Sequence, residues 1–352
     1  MLELRSAEGA FEALEAYLRD EGFFAGADDG RVADVFLGHG LSRPLRRTAT
    51  PDPPEPCPVP LLACRVRAGE REPGRAGGFR IGDWERSWTD AEYEAAVEDV
   101  RAAIARGDVY QVNLVQHLSA PFAGDPAGLA GALARYEPLH PYPLRGDGWA
   151  IVSGSPELFL SRRGLSVRTC PIKGTRPLGG ASELLASAKD AAENVMIVDL
   201  ERNDLSRVCE PGSVRWPQLL AARELAGVVH LVSTVEGRLR EDASLAELLA
   251  ATFPGGSITG APKIAALDHI AALEPVGRGA SMGALGTIRQ SGDLDLALTI
   301  RTFAIAEERI HLWVGGGIVW DSDPREEVEE SFTKARPLLE AVGAPLPTAV
   351  RQ

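Results

Sequence analysis

Of the 37 basic residues in this 352-residue chain, only four are lysine: Lys173, Lys189, Lys263 and Lys334. Codon bias toward arginine explains the exchange on the surface. The surviving lysines then mark places where arginine fails. Lysine is compact and can lose its proton when desolvated, whereas a guanidinium stays charged and broad. Lys173 stands in TCPIKGTRPLG (169–179), between Ile172 and Gly174 and bounded by Pro171 and Pro177. There an amine that can lose its proton could do what a guanidinium cannot; the plain alternative is a salt-bridging loop residue. Two stretches place acids three residues apart on one helical face: Asp190 with Glu193, and Glu327 with Glu330. Carboxylates converging from two helices make the hard-oxygen site that Mg²⁺ takes while keeping several waters and meeting a substrate. Solvated acidic faces show the same pattern. Glu157, in SPE at a turn between two strand patterns, is placed for general acid or base work.

Other residues could hold an anion. GGSITGAPK (255–263), with Thr259 and Gly260, joins two helical stretches, and a glycine-rich loop entering a helix offers N–H groups to an anion. Its spacing is not that of a P-loop, and a plain tight connection would look alike. VGGGIV (314–319) puts Gly315, Gly316 and Gly317 inside a strand pattern, where glycine implies close approach of backbone or ligand. Arg301 alternates with apolar neighbours in LALTIRTFAI and, if buried, needs an anionic partner. Gln111 and Asn113 share one face of a strand in YQVNL. His230 in VVHLVS reads first as a satisfied core histidine and second as a substrate contact.

These residues need elements to position them. EGAFEALEAYLRDEG (8–22) has helical spacing. WTDAEYEAAVEDVRAAIARGD (88–108) predicts an amphipathic helix, capped by Thr89 or Asp90 and stopped by Gly107. Residues 109–120 alternate as a strand. Residues 149–164 predict strand, turn and strand, and 165–177 continue a sheet into a loop. The stretch 182–209 has no Gly or Pro and predicts one long helix. Residues 225–239 are strand-like, 245–273 read as helix, loop and helix, and 280–322 as a meander of strands. Asp323 and Pro324 open a closing helix to 342. Long strands with a few long helices predict α+β rather than alternating βαβ. Residues 1–78 differ in character, with a proline-rich loop at 46–60 and a turn over 69–78.

Composition narrows the class. The chain is 45% hydrophobic with no apolar run long enough for a membrane helix, so no membrane partner is expected. The N-terminus lacks the pattern of a signal peptide. Cys57, Cys64, Cys170 and Cys209 have no metal-ligand spacing, which points to a reducing cytoplasm. A net charge of −13 disfavours nucleic acid, but not a small anionic substrate in a locally positive site.

Read in order, GDVYQVNL, SGSPELFL, PIKGTRP, AKDAAENVMIVDLERNDLSRVC, PGSV, VVHLVSTVEGRL, FPGGSITGAPK, ALTIRT, GGGIV and EEVEESFTKA resemble the chorismate-utilising enzymes. The resemblance runs from about Phe79 to Val342. It implies a large α+β sandwich of two extensive antiparallel sheets flanked by helices, with 79–352 as the catalytic region and 1–78 as a short divergent part packed on it. It implies Mg²⁺ held by Glu193 and Glu330, supported by Asp190 and Glu327. Glu157 matches the general acid and base, and Arg301, Lys334 and Gly315 to Gly317 match carboxylate-holding positions. Thr259, Gly260, Gln111 and His230 complete the expected substrate site. Family members that add water carry a lysine where this chain has Gln111; those that add ammonia carry glutamine. Lysine in Pro171-Ile172-Lys173-Gly174-Thr175 matches the aminodeoxychorismate-forming type, whereas the anthranilate-forming type has alanine there. By resemblance Lys173 is then a nucleophile, the substrates are chorismate and ammonia, and a separate glutamine amidotransferase subunit supplies the ammonia. Another chorismate aminase and a catalytically silent chorismate-binding subunit are the alternatives. The tryptophan-site motif L-L-E-S is absent from residues 1–78.

Overall fold

The computed structural model describes residues 1–26, 29–69, 77–225 and 227–346. The turn expected over 69–78 lies mostly outside them. Along the chain come β1 (Leu2–Leu4), α1 (Ala10–Asp20), β2 (Arg31–Leu37), β3 (Leu62–Ala68), β4 (Phe79–Ile81), β5 (Glu85–Arg86), α2 (Asp90–Arg106) and β6 (Gln111–Gly124). Next are α3 (Pro126–Leu133), β7 (Leu144–Gly146), β8 (Trp149–Ser153), β9 (Leu158–Arg163), β10 (Ser166–Thr169), β11 (Ile172–Pro177), α4 (Ala181–Ala186) and α5 (Ala188–Ser206). The rest are β12 (Arg215–Leu225), β13 (Val228–Arg238), α6 (Leu245–Thr252), β14 (Gly260–Ala261), α7 (Lys263–Leu273), β15 (Ala284–Arg289), β16 (Leu294–Leu298), β17 (Thr302–Ala306), β18 (Arg309–Ile318) and α8 (Pro324–Ala341).

These strands make two antiparallel sheets, the α+β sandwich expected. The ten-stranded sheet runs β1-β3-β2-β15-β16-β9-β10-β13-β11, with β12 also on β13. The eight-stranded sheet runs β14-β6-β18-β17-β8-β7, with β4 and β5 on β6. The main core lies between them. It joins Phe36, Leu160, Val167, Leu285 and Leu296 of the first sheet to Val115, Ile151, Ala304 and Trp313 of the second. A second core packs Leu338 and Leu339 of α8 on the outer face of the eight-stranded sheet. Residues before 79 are integral to the architecture: β2 pairs with β15 from Leu37↔Ala284 to Val32↔Arg289. Among the described residues no helix is long and apolar enough to cross a membrane.

Local signals hold where they are strongest. Thr89 caps α2 in a capping box, accepting from the Glu92 N–H at 3.2 Å while Glu92 accepts from the Thr89 N–H at 2.7 Å. Gly107 ends the helix at φ 82°. Thr89→Ala removes one half of this exchange and is expected to cost about 1 kcal/mol, read as a lower denaturation midpoint with an unchanged m-value. Asp323 caps α8 through the N–H groups of Arg325 and Glu326.

Three expectations change. The helix over 182–209 is two helices. Its chain turns at Ser187, which leaves helical geometry at ψ 105° and caps α5 by accepting from the Asp190 N–H. The stretch 165–177, expected to run from sheet into loop, ends instead in strand β11, paired on β13 with an irregularity between Lys173 and Thr175. The strand-turn-strand at 149–164 and the meander at 280–322 each cross between sheets. β8 belongs to the eight-stranded sheet and β9 to the ten-stranded one; β15–β16 and β17–β18 are hairpins in different sheets. The two crossings lie side by side. The Gly154 N–H donates to the Arg301 carbonyl at 2.8 Å, and the Leu298 N–H to the Glu157 carbonyl at 3.0 Å. Glu157 and Arg301 therefore sit where the chain passes from sheet to sheet.

Candidate active site

Lys173 projects from β11 and Glu157 from the neighbouring crossing. Glu157 is only 4% exposed. Its Oε1 accepts from the Ile172 N–H at 3.2 Å, one residue before the lysine. Burial raises its proton affinity, against the pull of Lys173. Lys173 is half-buried and donates from Nζ to the Ser257 carbonyl at 3.3 Å. Burial lowers its pKa, and Lys334 pushes the same way while Glu193 and Glu157 oppose. The pair is thus displaced toward protonated acid and neutral amine, relative to the same groups in water. Gly174 makes the placement possible. It has φ +64°, and a Cβ there would come 2.6 Å from Leu184 and 2.9 Å from the Asp190 carboxyl.

The acids gather from α5 and α8. Glu193 is partly buried, and burial raises its pKa, with Asp190 and Glu330 adding to the rise. Glu327 is 6% exposed and accepts from the Ser322 hydroxyl at 2.6 Å; burial raises its pKa too, and Glu330 contributes. Glu330 is held the other way by Lys334, whose ammonium pairs with it at 2.7 Å. Lys334 also donates to the Gly315 carbonyl at 2.9 Å. Asp190 stands apart in its pairing: Arg176 reaches its Oδ2 at 3.2 Å.

The three glycines of β18 divide their work. A Cβ on Gly316 would lie 3.3 Å from Glu327 Oε2, 3.3 Å from Lys334 Nζ and 3.4 Å from Glu330 Oε1, so these three groups converge over it. A Cβ on Gly317 would collide with the Gln111 amide from the other face of the strand, and one on Gly315 with the Leu114 carbonyl. Gln111 is fully buried, and neither its Nε2 nor its Oε1 has a hydrogen-bond partner among the described residues. An amide buried without partners costs free energy unless a ligand or water completes it.

Arg301 has φ 49° at the second crossing. Its guanidinium lies 5.8 Å from the Tyr136 ring centroid and pairs with no carboxylate among the described residues, though it acts on Glu157. His230 is 2% exposed, with Nδ1 3.0 Å from the Thr175 hydroxyl and 3.2 Å from the Gly174 carbonyl. Burial lowers its pKa, and its Nε2 is unpartnered. Thr259 is fully buried and donates to the Gly255 carbonyl at 2.8 Å. Gly260 pairs with Val112 beside Gln111. Two lysines differ in kind. Lys189 is exposed but acts on Glu193, Glu327 and Glu330, whereas Lys263 is sealed in an ion pair with Asp204 at 2.5 Å.

Sequence reasoning missed several supports. The 255–263 loop offers Lys173 the Ser257 carbonyl, not an N–H. Arg278 and Glu274, nearly buried together, tie the strand bearing Gln111 to this loop. Arg278 donates to the Asn113 and Ile258 carbonyls, and Glu274 accepts from the Val115 N–H. Only their four-residue spacing hinted at it. Glu201 on α5 reads in sequence as one more helix acid, yet it is buried.

Among the described residues no three His, Cys, Asp or Glu side chains form a compact metal cluster. Mg²⁺ needs none, since it takes one or two carboxylates and completes its shell with water and substrate oxygens. Glu330 raises the proton affinity of both Glu193 and Glu327, and Asp190 adds to that of Glu193; a cation would relieve this. The donor set fits that ion.

A family model described as chorismate binding enzyme matches residues 58–340. Anthranilate synthase component 1 of Streptomyces coelicolor is 42% identical over 270 residues, 74% of this chain and 53% of that protein. Aminodeoxychorismate synthase component 1 of Klebsiella aerogenes is 42% identical over 266 residues, 73% of this chain and 59% of that protein. The chain thus spans a little over half the length of these relatives. The crystal structure of anthranilate synthase component I from Streptococcus pneumoniae matches with a TM-score of 0.82 at 26% identity, covering 92% of this chain and 84% of that one.

Proposed function

The chain belongs to the chorismate binding enzyme family, and we propose that it aminates chorismate at ring C4 to give 4-amino-4-deoxychorismate. The observation that carries this reading is the placement of Lys173: its amine reaches the Ser257 carbonyl, and the preceding residue gives its N–H to the buried Glu157. In the first step the neutral Lys173 amine bonds to ring C2 and both ring double bonds shift, C1=C2 to C1=C6 and C5=C6 to C4=C5. The C4–O bond breaks, and the hydroxyl leaves as water with the proton of Glu157. The proton shed by the new C2 ammonium returns to Glu157. In the second step ammonia bonds to C4, both double bonds shift back and the C2–N bond breaks. The departing lysine nitrogen takes up the proton that the incoming ammonia gives up. The sum is chorismate plus ammonia to 4-amino-4-deoxychorismate plus water. Arg301, which has no carboxylate of its own, and Lys334 bind the substrate's carboxylates, and the Gly315–Gly317 strand lets the ligand come close. His230 and Thr259 line the same space, and Gln111 orients ammonia through its unfilled carbonyl. Glu193 and Glu330, with Asp190 and Glu327 behind them, would hold Mg²⁺, which would supply positive charge to the anionic substrate. Ammonia comes from a separate glutamine amidotransferase subunit.

The test is incubation with chorismate, Mg²⁺ and concentrated ammonium, with the product identified by mass spectrometry and by a coupled lyase that forms 4-aminobenzoate. Amination at C4 is expected. Anthranilate as product would favour the second reading, for which the 42% identity to an anthranilate synthase component speaks and against which Lys173 stands. Glu193→Gln and Glu330→Gln are each expected to raise the Mg²⁺ concentration for half-maximal turnover at least about tenfold. A Mg²⁺ titration of both variants checks this.

A further inference from the structure

Helix α5 buries a stripe of Asn194, Ile197, Val198, Glu201, Asp204 and Leu205. Two of these are acids, and they are treated differently. Asp204 is neutralised by Lys263 at 2.5 Å. Glu201, 7% exposed, has no salt bridge among the described residues. Among the described residues its one hydrogen bond is at Oε2, which accepts from the Thr169 hydroxyl at 2.9 Å. Thr169 ends β10, itself 5% exposed. Three residues on, Ile172 gives its N–H to Glu157, and the next residue is Lys173. Beside the contact is a cavity of about 10 Å³ lined by Phe159, Thr169, Glu201, Asp204 and Gly255, at the lower limit for one water.

We propose that Glu201 is a positioning residue for Lys173: as a neutral carboxylic acid it clamps α5 to Thr169 and so fixes the short segment that carries both the Glu157 donor and the amine. The proposal rests on the reaction assigned above and deepens it. The charges that face Glu201 are Glu157 from the first crossing, Asp204 on its own helix, Lys263 on α7 and Lys173 on β11. Burial pushes its pKa up to about 8, and Glu157 and Asp204 add to that rise. Neutrality serves the site, because a carboxylate here would favour the ammonium form of Lys173, which cannot attack.

The sign of the pH dependence follows. The folded pKa lies above the model-compound value of 4.5. The contribution of Glu201 to stability is therefore complete below about pH 4.5 and is lost as pH rises through about 8. Glu201→Gln keeps an oxygen for Thr169 and cannot ionise. Near pH 7 it is expected to retain wild-type kcat and KM, and its Tm advantage over wild type should widen from pH 5 to pH 9. It should also remove one protonated-carboxyl band from the infrared spectrum at pH 7. Glu201→Ala loses the clamp. It is expected to lower kcat about 10- to 100-fold with KM little changed, and to alter the rate at which an acylating reagent labels Lys173, followed by mass spectrometry. Thr169→Val, which removes the donor and leaves the acid, should reproduce the kcat loss. The proposal is overturned if Glu201→Ala turns over like wild type, if Glu201→Gln fails as Glu201→Ala does, or if the infrared band is unchanged. Failure of the reaction assignment looks different: wild type yields no C4-aminated product, while the infrared, Tm and labelling differences still decide the role of Glu201.

Discussion

Lys173→Ala is expected to lose C4 amination by on the order of 10⁴-fold or more in kcat, the scale seen when a covalent nucleophile is removed. KM for chorismate should change little, because Arg301, Lys334 and the acids of α5 and α8 remain. Lys173→Arg is the sharper variant. It supplies a fixed positive charge and a comparable reach to the Ser257 carbonyl, yet a guanidinium stays protonated at any working pH and cannot bond to carbon. Equal loss in both variants assigns the amine to covalent chemistry. Survival of Lys173→Arg would reduce Lys173 to an electrostatic role. Steady-state kinetics with ammonium, and intact-protein mass spectrometry of quenched turnover, read both outcomes. A mass increase is expected in the wild type and in neither variant.

Glu157→Gln is expected to lose about 10²- to 10⁴-fold in kcat, the range of a general acid. The amide still accepts from the Ile172 N–H, so the fold around Lys173 should persist. Because burial raises the proton affinity of Glu157, the wild-type carboxyl holds its proton above the usual carboxylate range. Turnover then falls on the alkaline side as that proton is lost. A pH–rate profile at fixed free ammonia measures the limb. A wild-type limb at the ordinary carboxylate pKa would show that burial does not hold the acid in the working enzyme. An adduct that accumulates in Glu157→Gln would show that the acid serves release rather than attack.

Much of this molecule can be read from local chemistry, and the limit of that reading has a physical cause. Thr89, Gly107, Asp323 and Pro324 announce helix ends because capping is decided within a few residues. The paired acids of α5 and α8 are visible for the same reason. Sheet membership is not local. Residues 154–157 look like an ordinary turn and 299–301 like part of a continuing strand, and nothing within either stretch shows that its flanking strands belong to different sheets. That choice is made by pairings such as Leu37↔Ala284 and Thr302↔Ser153, remote in sequence. The strands before residue 79 stayed hidden likewise, since β2 and β3 take their place from pairing with each other and with the distant β15. The site shows the same division. Lys173 stood out by residue type, and the glycines of β18 by their clustering. Glu201 could not, because an acid on a helix is ordinarily wet, and only the distant Phe159, Thr169, Thr252 and Gly255 gathering around it bury it.

The scarcity of lysine has a consequence for the molecule's susceptibility to covalent damage. Three of its four side-chain amines, Lys173, Lys189 and Lys334, act on the same cluster of acids, and the fourth is locked against Asp204 at one-tenth exposure. The rest of the basic surface is guanidinium, which reagents selective for primary amines ignore. Aldehydes and activated esters that would be diluted over dozens of harmless sites on a lysine-rich protein therefore have few decoys here apart from the N-terminus. Poisoning should be steep in reagent dose, and substrate should shield against it. Proteolysis after lysine would recover the modified positions in a handful of large fragments.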